Sequence, residues 1–357
     1  MNILKFRKAI DNIASLRRTD KLSTACGKTK RHWSFSILSR FIKAAKYLIL
    51  LTIFSLTGSL HIHKPGTKLY FMDTELKSNQ PIELEGIKKI RRASVEHVIL
   101  KNCTGIIDQE TFKHFPKLKR LSIWKSRINE INTNLSVTAF ESIGSYLPDL
   151  DANFQGKFPN VKELLFYKTE KFNVHTVIWK NFKHLKVLKI SDVDFAENCV
   201  TKNLFRGMES LEELGLSNNN IGCVTADAFS SLKSLQSLDL TYNRIKSFPS
   251  TIFKGLTNLE DLGLFENPLI HFSINMLADQ RHHLRVLGLD WAVLKNEKVT
   301  AEKLLKAFPN LKFITFGHLD MPQDFYAGSF CQILKENNVL CENETVFGAS
   351  ILLYQYF

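Results

Sequence analysis

Leu211-Glu-Glu-Leu214-Gly-Leu216-Ser-Asn-Asn219-Asn-Ile221 is followed 24 residues later by Leu235-Gln-Ser-Leu238-Asp-Leu240-Thr-Tyr-Asn243-Arg-Ile245. After another 24 comes Leu259-Glu-Asp-Leu262-Gly-Leu264-Phe-Glu-Asn267-Pro-Leu269. Each reads L-x-x-L-x-L-x-x-N-x-L. A Leu-rich helix gives no reason for Asn to recur at one phase, so the fixed period predicts stacked coils. The L-x-L pair predicts a short strand with alternate side chains inward, and strands of successive coils are expected to pair in parallel. Asn219, Asn243 and Asn267 are expected to form a structural ladder. Each turns the chain out of the sheet and bonds backbone groups that the turn leaves unpaired, because a buried unpaired polar group costs about 1–3 kcal/mol.

Weaker copies extend both ways. Downstream, Leu284, Leu287 and Leu289 lead to Ala292, and Leu311, Ile314 and Phe316 form the last. Upstream, Leu185, Leu188 and Ile190 lead to Val193, preceded by Val161, Leu164 and Phe166, by Leu118, Leu121 and Ile123, and by Val95, Val98 and Leu100, which lead to Cys103. Residues 137–158 should hold one more copy with a degenerate pattern. A second register runs ahead of each start, as in Phe205 and Met208 before Leu211, Phe229 and Leu232 before Leu235, and Phe253 and Leu256 before Leu259. One aromatic per coil accounts for the 27 Phe. A single coil buries too little to fold alone, so stability has to come from stacking.

With their 24-residue period and the phrases Phe253-Lys-Gly-Leu256 and Phe205-Arg-Gly-Met208, these residues resemble the animal extracellular leucine-rich-repeat family, the class found in Toll-type receptors and small matrix proteoglycans. The resemblance covers residues 95–316. It implies an α/β leucine-rich-repeat solenoid of about ten repeats, a curved horseshoe with a parallel β-sheet on the concave face and short helical or irregular segments on the convex face. It also implies recognition of a protein or glycan ligand. One departure stands out: no C-x-C cluster precedes Val95 or follows Phe316, where the family often has cysteine-rich caps. Either the ends are closed unusually or the sequence is incomplete.

The net charge of +13 is concentrated at one end. Residues 1–46 hold twelve Lys or Arg against two acids, leaving the rest nearly balanced. Next comes the apolar run Tyr47-Leu-Ile-Leu-Leu-Thr-Ile-Phe-Ser-Leu-Thr-Gly-Ser-Leu60. As a helix it reaches about 21 Å against a hydrocarbon core of about 30 Å, which suits a signal-peptide core, with an uncleaved signal anchor as the alternative. Positive charge stays cytoplasmic, so the repeats are expected outside, secreted or held at the plasma membrane through 47–63. The sequons at Asn102, Asn134 and Asn343 all lie beyond the run and are candidate N-glycosylation sites. The expected organisation is a basic cytoplasmic segment 1–46, the run 47–63, a linker or N-terminal cap 64–94, the repeats 95–316, and a C-terminal cap or tail 317–357.

Among six cysteines, Cys331 and Cys341 are candidates for a local cap disulfide. Cys199 and Cys223 fall in adjacent coils and are either a second disulfide or buried thiols. Cys103 sits at the Asn phase. No C-x-x-C supports a zinc site, and no cofactor is expected.

Positions between and just after the inward leucines predict the concave face: Trp124, Tyr167, Tyr242, Phe265 and Trp291, with Asp239, Asp261, Glu266 and Asp290. Lys125, Lys168, Lys189, Asp192 and His318 fall in the same phases. Exposed aromatics repeating along one face are typical interface anchors, though the same rings can pack against one another along the sheet. Catalytic patterns are lacking. Cys26-Gly-Lys-Thr29 lacks the first Gly of a phosphate loop, His61/His63 and His282/His283 lack metal partners at sensible spacing, and there is no H-E-x-x-H or G-x-S-x-G. The expected function is non-enzymatic binding of a protein or glycan. The alternative is an intracellular scaffold or adaptor in the cytoplasm. Nucleic acid is not an expected partner, because only the N-terminal segment is basic.

Overall fold

The computed structural model describes residues 68–82, 92–147, 154–170, 174, 182–193, 195, 198–317 and 329–343. The basic segment, the apolar run and His318 lie outside them. Among the described residues no helix is long and apolar enough to cross a membrane.

Twelve strands form one parallel sheet in strict chain order. They are β1 Lys68–Met72, β2 His97–Lys101, β3 Arg120–Trp124, β4 Ala139–Ile143, β5 Glu163–Tyr167 and β6 Val187–Ser191. Then follow β7 Glu213–Gly215, β8 Ser237–Asp239, β9 Asp261–Gly263, β10 Val286–Gly288, β11 Phe313–Phe316 and β12 Leu340–Asn343. Every strand pairs only with its neighbours in sequence, as a leucine-rich-repeat solenoid requires. Ten of the twelve fall within 95–316. The sheet continues past that span at both ends, since β1 pairs with β2 and β12 with β11. Lys68–Met72, inside the span 64–94 expected as a linker or N-terminal cap, is a strand of the main sheet.

Inward positions hold the periodic apolar residues. Leu214, Leu238, Leu262 and Leu287 share one register position and are fully or almost fully buried. On the opposite side of the core, Phe205, Phe229 and Phe253 are completely buried one coil apart, and the Phe205 and Phe229 rings stack at 6.4 Å. A second, smaller parallel sheet runs beside the first coils, from Glu75–Leu76 through Thr104–Ile107 to Arg127–Ile131. Short helices α1 Trp291–Asn296, α2 Ala301–Ala307 and α3 Ser329–Glu336 replace irregular segments in the last coils.

The turn after each strand repeats one backbone device. Asp73, Asn102, Lys125, Gly144, Lys168, Asp192, Asn218, Tyr242 and Glu266 occupy successive rungs with φ between 47° and 57°. The next residue turns inward and forms a ladder that is polar or Cys at every rung but Val193. Asn243 donates through Nδ2 to Leu216 O (2.9 Å) and Leu240 O (3.0 Å), and its Oδ1 accepts from the N–H groups of Asn219 (3.1 Å) and Ile221 (3.0 Å). Asn219 and Asn267 repeat the pattern, with Nδ2 on Ile190 O (2.6 Å) and on Leu240 O (2.9 Å). In the first coils the same rung carries Cys103, Ser126, Ser145 and Thr169, all buried.

Candidate binding face

Outward positions on the strands build the concave face, and their side chains divide it in two. Reading one register row along β1 to β5 gives Tyr70, Ile99, Ser122, Glu141 and Leu165. The next outward row gives Met72, Lys101, Trp124, Ile143 and Tyr167. This half is aromatic and aliphatic with basic margins. From β7 to β11 the first row becomes Gly215, Asp239, Gly263, Gly288 and Thr315. That half is small, polar and acidic.

A hydrogen-bonded chain lies across the first half. His97 Nε2 is 2.8 Å from Ser122 Oγ. Ser122 donates to Glu141 Oε2 (3.0 Å), and Trp124 Nε1 donates to Glu141 Oε1 (3.1 Å). Glu141 is only 3% exposed. The order of contacts is His–Ser–Glu rather than Ser–His–acid. With the Ser122 hydroxyl donating to Glu141, the imidazole meets the hydroxyl oxygen. Burial, then Lys68 and Arg120 on the flanking rungs, lower the His97 pKa from 6.5 to about 3, so the ring is neutral at pH 7. Lys101 is also held below its usual range, first by burial and then by Lys125 one rung away, with Asp73 opposing. The Tyr70 and Trp124 rings meet edge to face at 6.3 Å over this network.

The aromatics expected as exposed anchors divide differently. Phe265 is 1% exposed and packs edge to face under Tyr242 at 5.7 Å, so it is buried on the outward side of the sheet. Tyr167 is 8% exposed, with the Lys168 ammonium 5.3 Å from its ring. Trp124 is half-buried. Trp291 opens α1 instead of lying in the turn, and packs on Phe316 (6.2 Å) and Phe330 (5.2 Å). Tyr242 alone of the five is well exposed, at 41%. The crowding has a simple cause. Rungs of a parallel sheet lie about 4.8 Å apart, so an outward side chain is covered by its neighbours unless they are small.

Two of the expected acidic contacts serve the backbone. Asp239 accepts from the N–H (2.9 Å) and hydroxyl (2.7 Å) of Thr241; its burial pushes the carboxyl pKa up, and those bonds oppose the shift. Asp290 accepts from the N–H groups of Glu266 (2.9 Å) and Asn267 (3.4 Å), replacing a carbonyl at the end of the Asn ladder. Asp261 and Glu266 are half-buried. Burial raises the Asp261 pKa, followed by Glu260; Arg285 opposes and Glu213 adds to the rise. Lys189 bridges to Glu213 at 3.2 Å, and Lys168 to Asp192 at 3.1 Å. Among the described residues no group of three or more His, Cys, Asp or Glu is placed to hold a metal.

The periodic reading missed Tyr70, Met72, Ile99, Glu141 and Ile143. Tyr70 and Met72 lie in a coil that the L-x-x-L-x-L phrase does not announce. Ile99 has the correct phase in a copy that was recognised. The other two fall in the degenerate coil.

Cys199 and Cys223 are register partners on short paired strands and form a disulfide, Cα to Cα 4.6 Å. Cys331 on α3 is bonded to Cys341 on β12, Cα to Cα 5.7 Å. Cys103 is a buried free thiol whose Sγ lies 3.5 Å from Phe71 O and Lys101 O; burial raises its pKa. Asn102 and Asn134 are exposed. The backbone of Asn343 lies in β12.

No curated protein matches the sequence. One similar solved structure is a chain from the complex of Toll with Spatzle of Drosophila, at 14% identity and a TM-score of 0.42. The match covers 79% of this chain and 43% of that one, so the chain spans less than half of that structure's length. Residues 183–245, 209–269 and 233–291 match the family model described as leucine rich repeat. The repeat phrase, the parallel sheet and this match agree that the fold is a leucine-rich-repeat solenoid.

Proposed function

We propose that the chain is a non-enzymatic recognition module that binds a protein or glycan partner on its concave face, with the repeats outside the cell or secreted. One observation carries the binding reading. Tyr70 and Trp124 are only half-buried on a face whose margins hold Lys101 and Lys125, while Tyr242 projects from the same sheet farther along. Large rings left partly wet beside lysines resemble interface anchors. Two disulfides support the exterior assignment, since such bonds persist in oxidising compartments. The exposed sequons at Asn102 and Asn134 fit that assignment. Membrane anchorage through 47–63 belongs to the same proposal.

Cross-linking on cells or matrix of the native source, with wild type and a Trp124→Ala/Tyr242→Ala variant as bait, tests the face. The expected result is a partner captured by wild type and lost with the variant, at equal folded fraction by circular dichroism. Equal capture by both overturns the assignment of the face. Enzymatic glycan removal should lower the mass of the secreted protein; unchanged mass counts against the exterior.

A further inference from the structure

The edge of the sheet where the strands begin carries a second feature, away from the concave rows. Glu260, Arg285 and Lys312 each precede a strand (β9, β10 and β11) and lie on consecutive rungs. Arg285 N–H donates to Glu260 O (2.7 Å), and Lys312 N–H to Arg285 O (2.8 Å). The turns ahead of β10 and β11 stand over these rungs and contribute His282, His283 and Asn310. The six residues line a cleft of about 410 Å³. That volume is within the range of small-ligand sites, about 300–1,000 Å³. The walls are tied together, because Asn310 Nδ2 donates to His282 O at 2.7 Å and Arg281 Nη2 reaches Lys306 O at 3.3 Å. The cleft is therefore built on backbone-fixed rungs and cross-linked turns.

All six lining residues carry a charged or hydrogen-bonding group. Glu260 is the only acid, and Arg285 Nε already contacts it at 3.3 Å. Lys312 has no ion pair among the described residues. Two imidazoles and one carboxamide add hydrogen-bonding groups, and the rings and aliphatic stems of the same side chains make up the rest of the lining. Cations in excess of acid favour an oxyanion, and a carboxylate beside them accepts from hydroxyl groups.

We propose that this cleft is a binding site for an anionic sugar, one carrying a sulfate or phosphate ester. Lys312 and Arg285 hold the ester and Glu260 accepts from ring hydroxyls. His282, His283 and Asn310 close the sides. The cleft borders the concave face at Asp261, whose carboxyl feels both Glu260 and Arg285, but it uses none of the aromatic positions of that face.

The full-length protein titrated with glucose 6-sulfate, glucose 6-phosphate and glucose at low ionic strength, followed by ligand-observed NMR, tests this. Low salt is needed because exposed charges are screened beyond about 10 Å at 0.1 M. An ester should bind and glucose should not, and the tighter ester identifies the anion. Lys312→Gln should weaken ester binding about tenfold, the effect of losing one charge-assisted contact. Glu260→Gln releases Arg285 and should tighten it, a gain that misfolding cannot imitate. Lys28→Gln/Lys30→Gln controls for the basic segment and should change nothing. Equal binding of ester and glucose, unchanged affinity in Lys312→Gln, or loss of binding in the Lys28/Lys30 variant would each overturn the proposal.

Discussion

The first coils and the central coils build the same turn with different chemistry. In the centre, rungs are 24 residues apart and the ladder residue is Asn, as from Glu213 to Ser237 to Asp261. Near the start, the ladder residue is Ser, Thr or Cys and spacing varies: Lys68 pairs with His97, His97 with Arg120, and Arg120 with Ala139. An Asn side chain offers two N–H donors and an acceptor, whereas a hydroxyl offers one donor. Asn243 serves both its own coil and the previous one. Ser126 accepts from Cys103 N–H (2.9 Å) and has one proton to give, with Trp124 O nearer at 2.8 Å than Leu100 O at 3.3 Å. The poorer rung is offset by the second sheet, where Thr104–Ile107 pairs with Arg127–Ile131. The same left-handed turn thus tolerates two ladder types, provided backbone groups find partners elsewhere.

The largest expected effect breaks the richer ladder. Asn243→Leu removes the partner of two buried N–H donors and three carbonyls, and should lower unfolding free energy by about 4 kcal/mol. Ser126→Ala strands fewer groups and should lower it by about 1–2 kcal/mol. Urea unfolding of both variants measures the gap. Equal losses would mean that the second sheet does not compensate.

Phe265→Ala should come next, at about 3 kcal/mol, because it empties a buried ring site under Tyr242. Chemical denaturation checks it, and a loss below about 1 kcal/mol would restore Phe265 to the surface. This residue shows where sequence reading stops. Its phase put it on the outward side, just past the end of β9. Phase does not state what covers an outward residue, and Tyr242 on the preceding rung covers this one. The strand order and the ladder of Asn219, Asn243 and Asn267 were legible because one polar residue kept its phase among leucines. Residues 137–158 were illegible because Ser142 stands where Leu is expected. It is buried and bonded to Thr169 Oγ1 at 2.9 Å. The last strand escaped because Cys341 fills an inward position, and the first because Lys68–Met72 shows only Leu69 and Phe71 of the pattern.

A pH effect of intermediate size is expected from His97 in the first coils. His97 has a folded pKa of about 3 against 6.5 for the free side chain, so the unfolded chain binds its proton first. Its contribution is fully present above pH 6.5 and is lost as pH falls toward 3, by up to a few kcal/mol on the order of 1.4 per unit. His97→Gln keeps a hydrogen-bonding group toward Ser122 and removes the titration. Thermal unfolding between pH 7 and pH 4 should therefore fall more steeply for wild type than for His97→Gln. Parallel curves would show that the imidazole is not held neutral.

The smallest expected change in stability carries the most about function. Tyr242 sits at φ 55° and is 41% exposed, while the preceding rung uses Asn218 at φ 57°. A bulky ring in the left-handed region is strained by about 1–2 kcal/mol, and Asn adopts it more readily. Tyr242→Asn relieves that strain but gives up the edge-to-face contact with Phe265, about 0.5–1.5 kcal/mol. The two nearly cancel, so unfolding free energy should stay within about 1 kcal/mol of wild type. Partner capture should fall in Tyr242→Asn despite unchanged stability. Intact capture would move the contact surface to the aromatic half of the sheet, where Trp124→Ala then becomes the deciding variant.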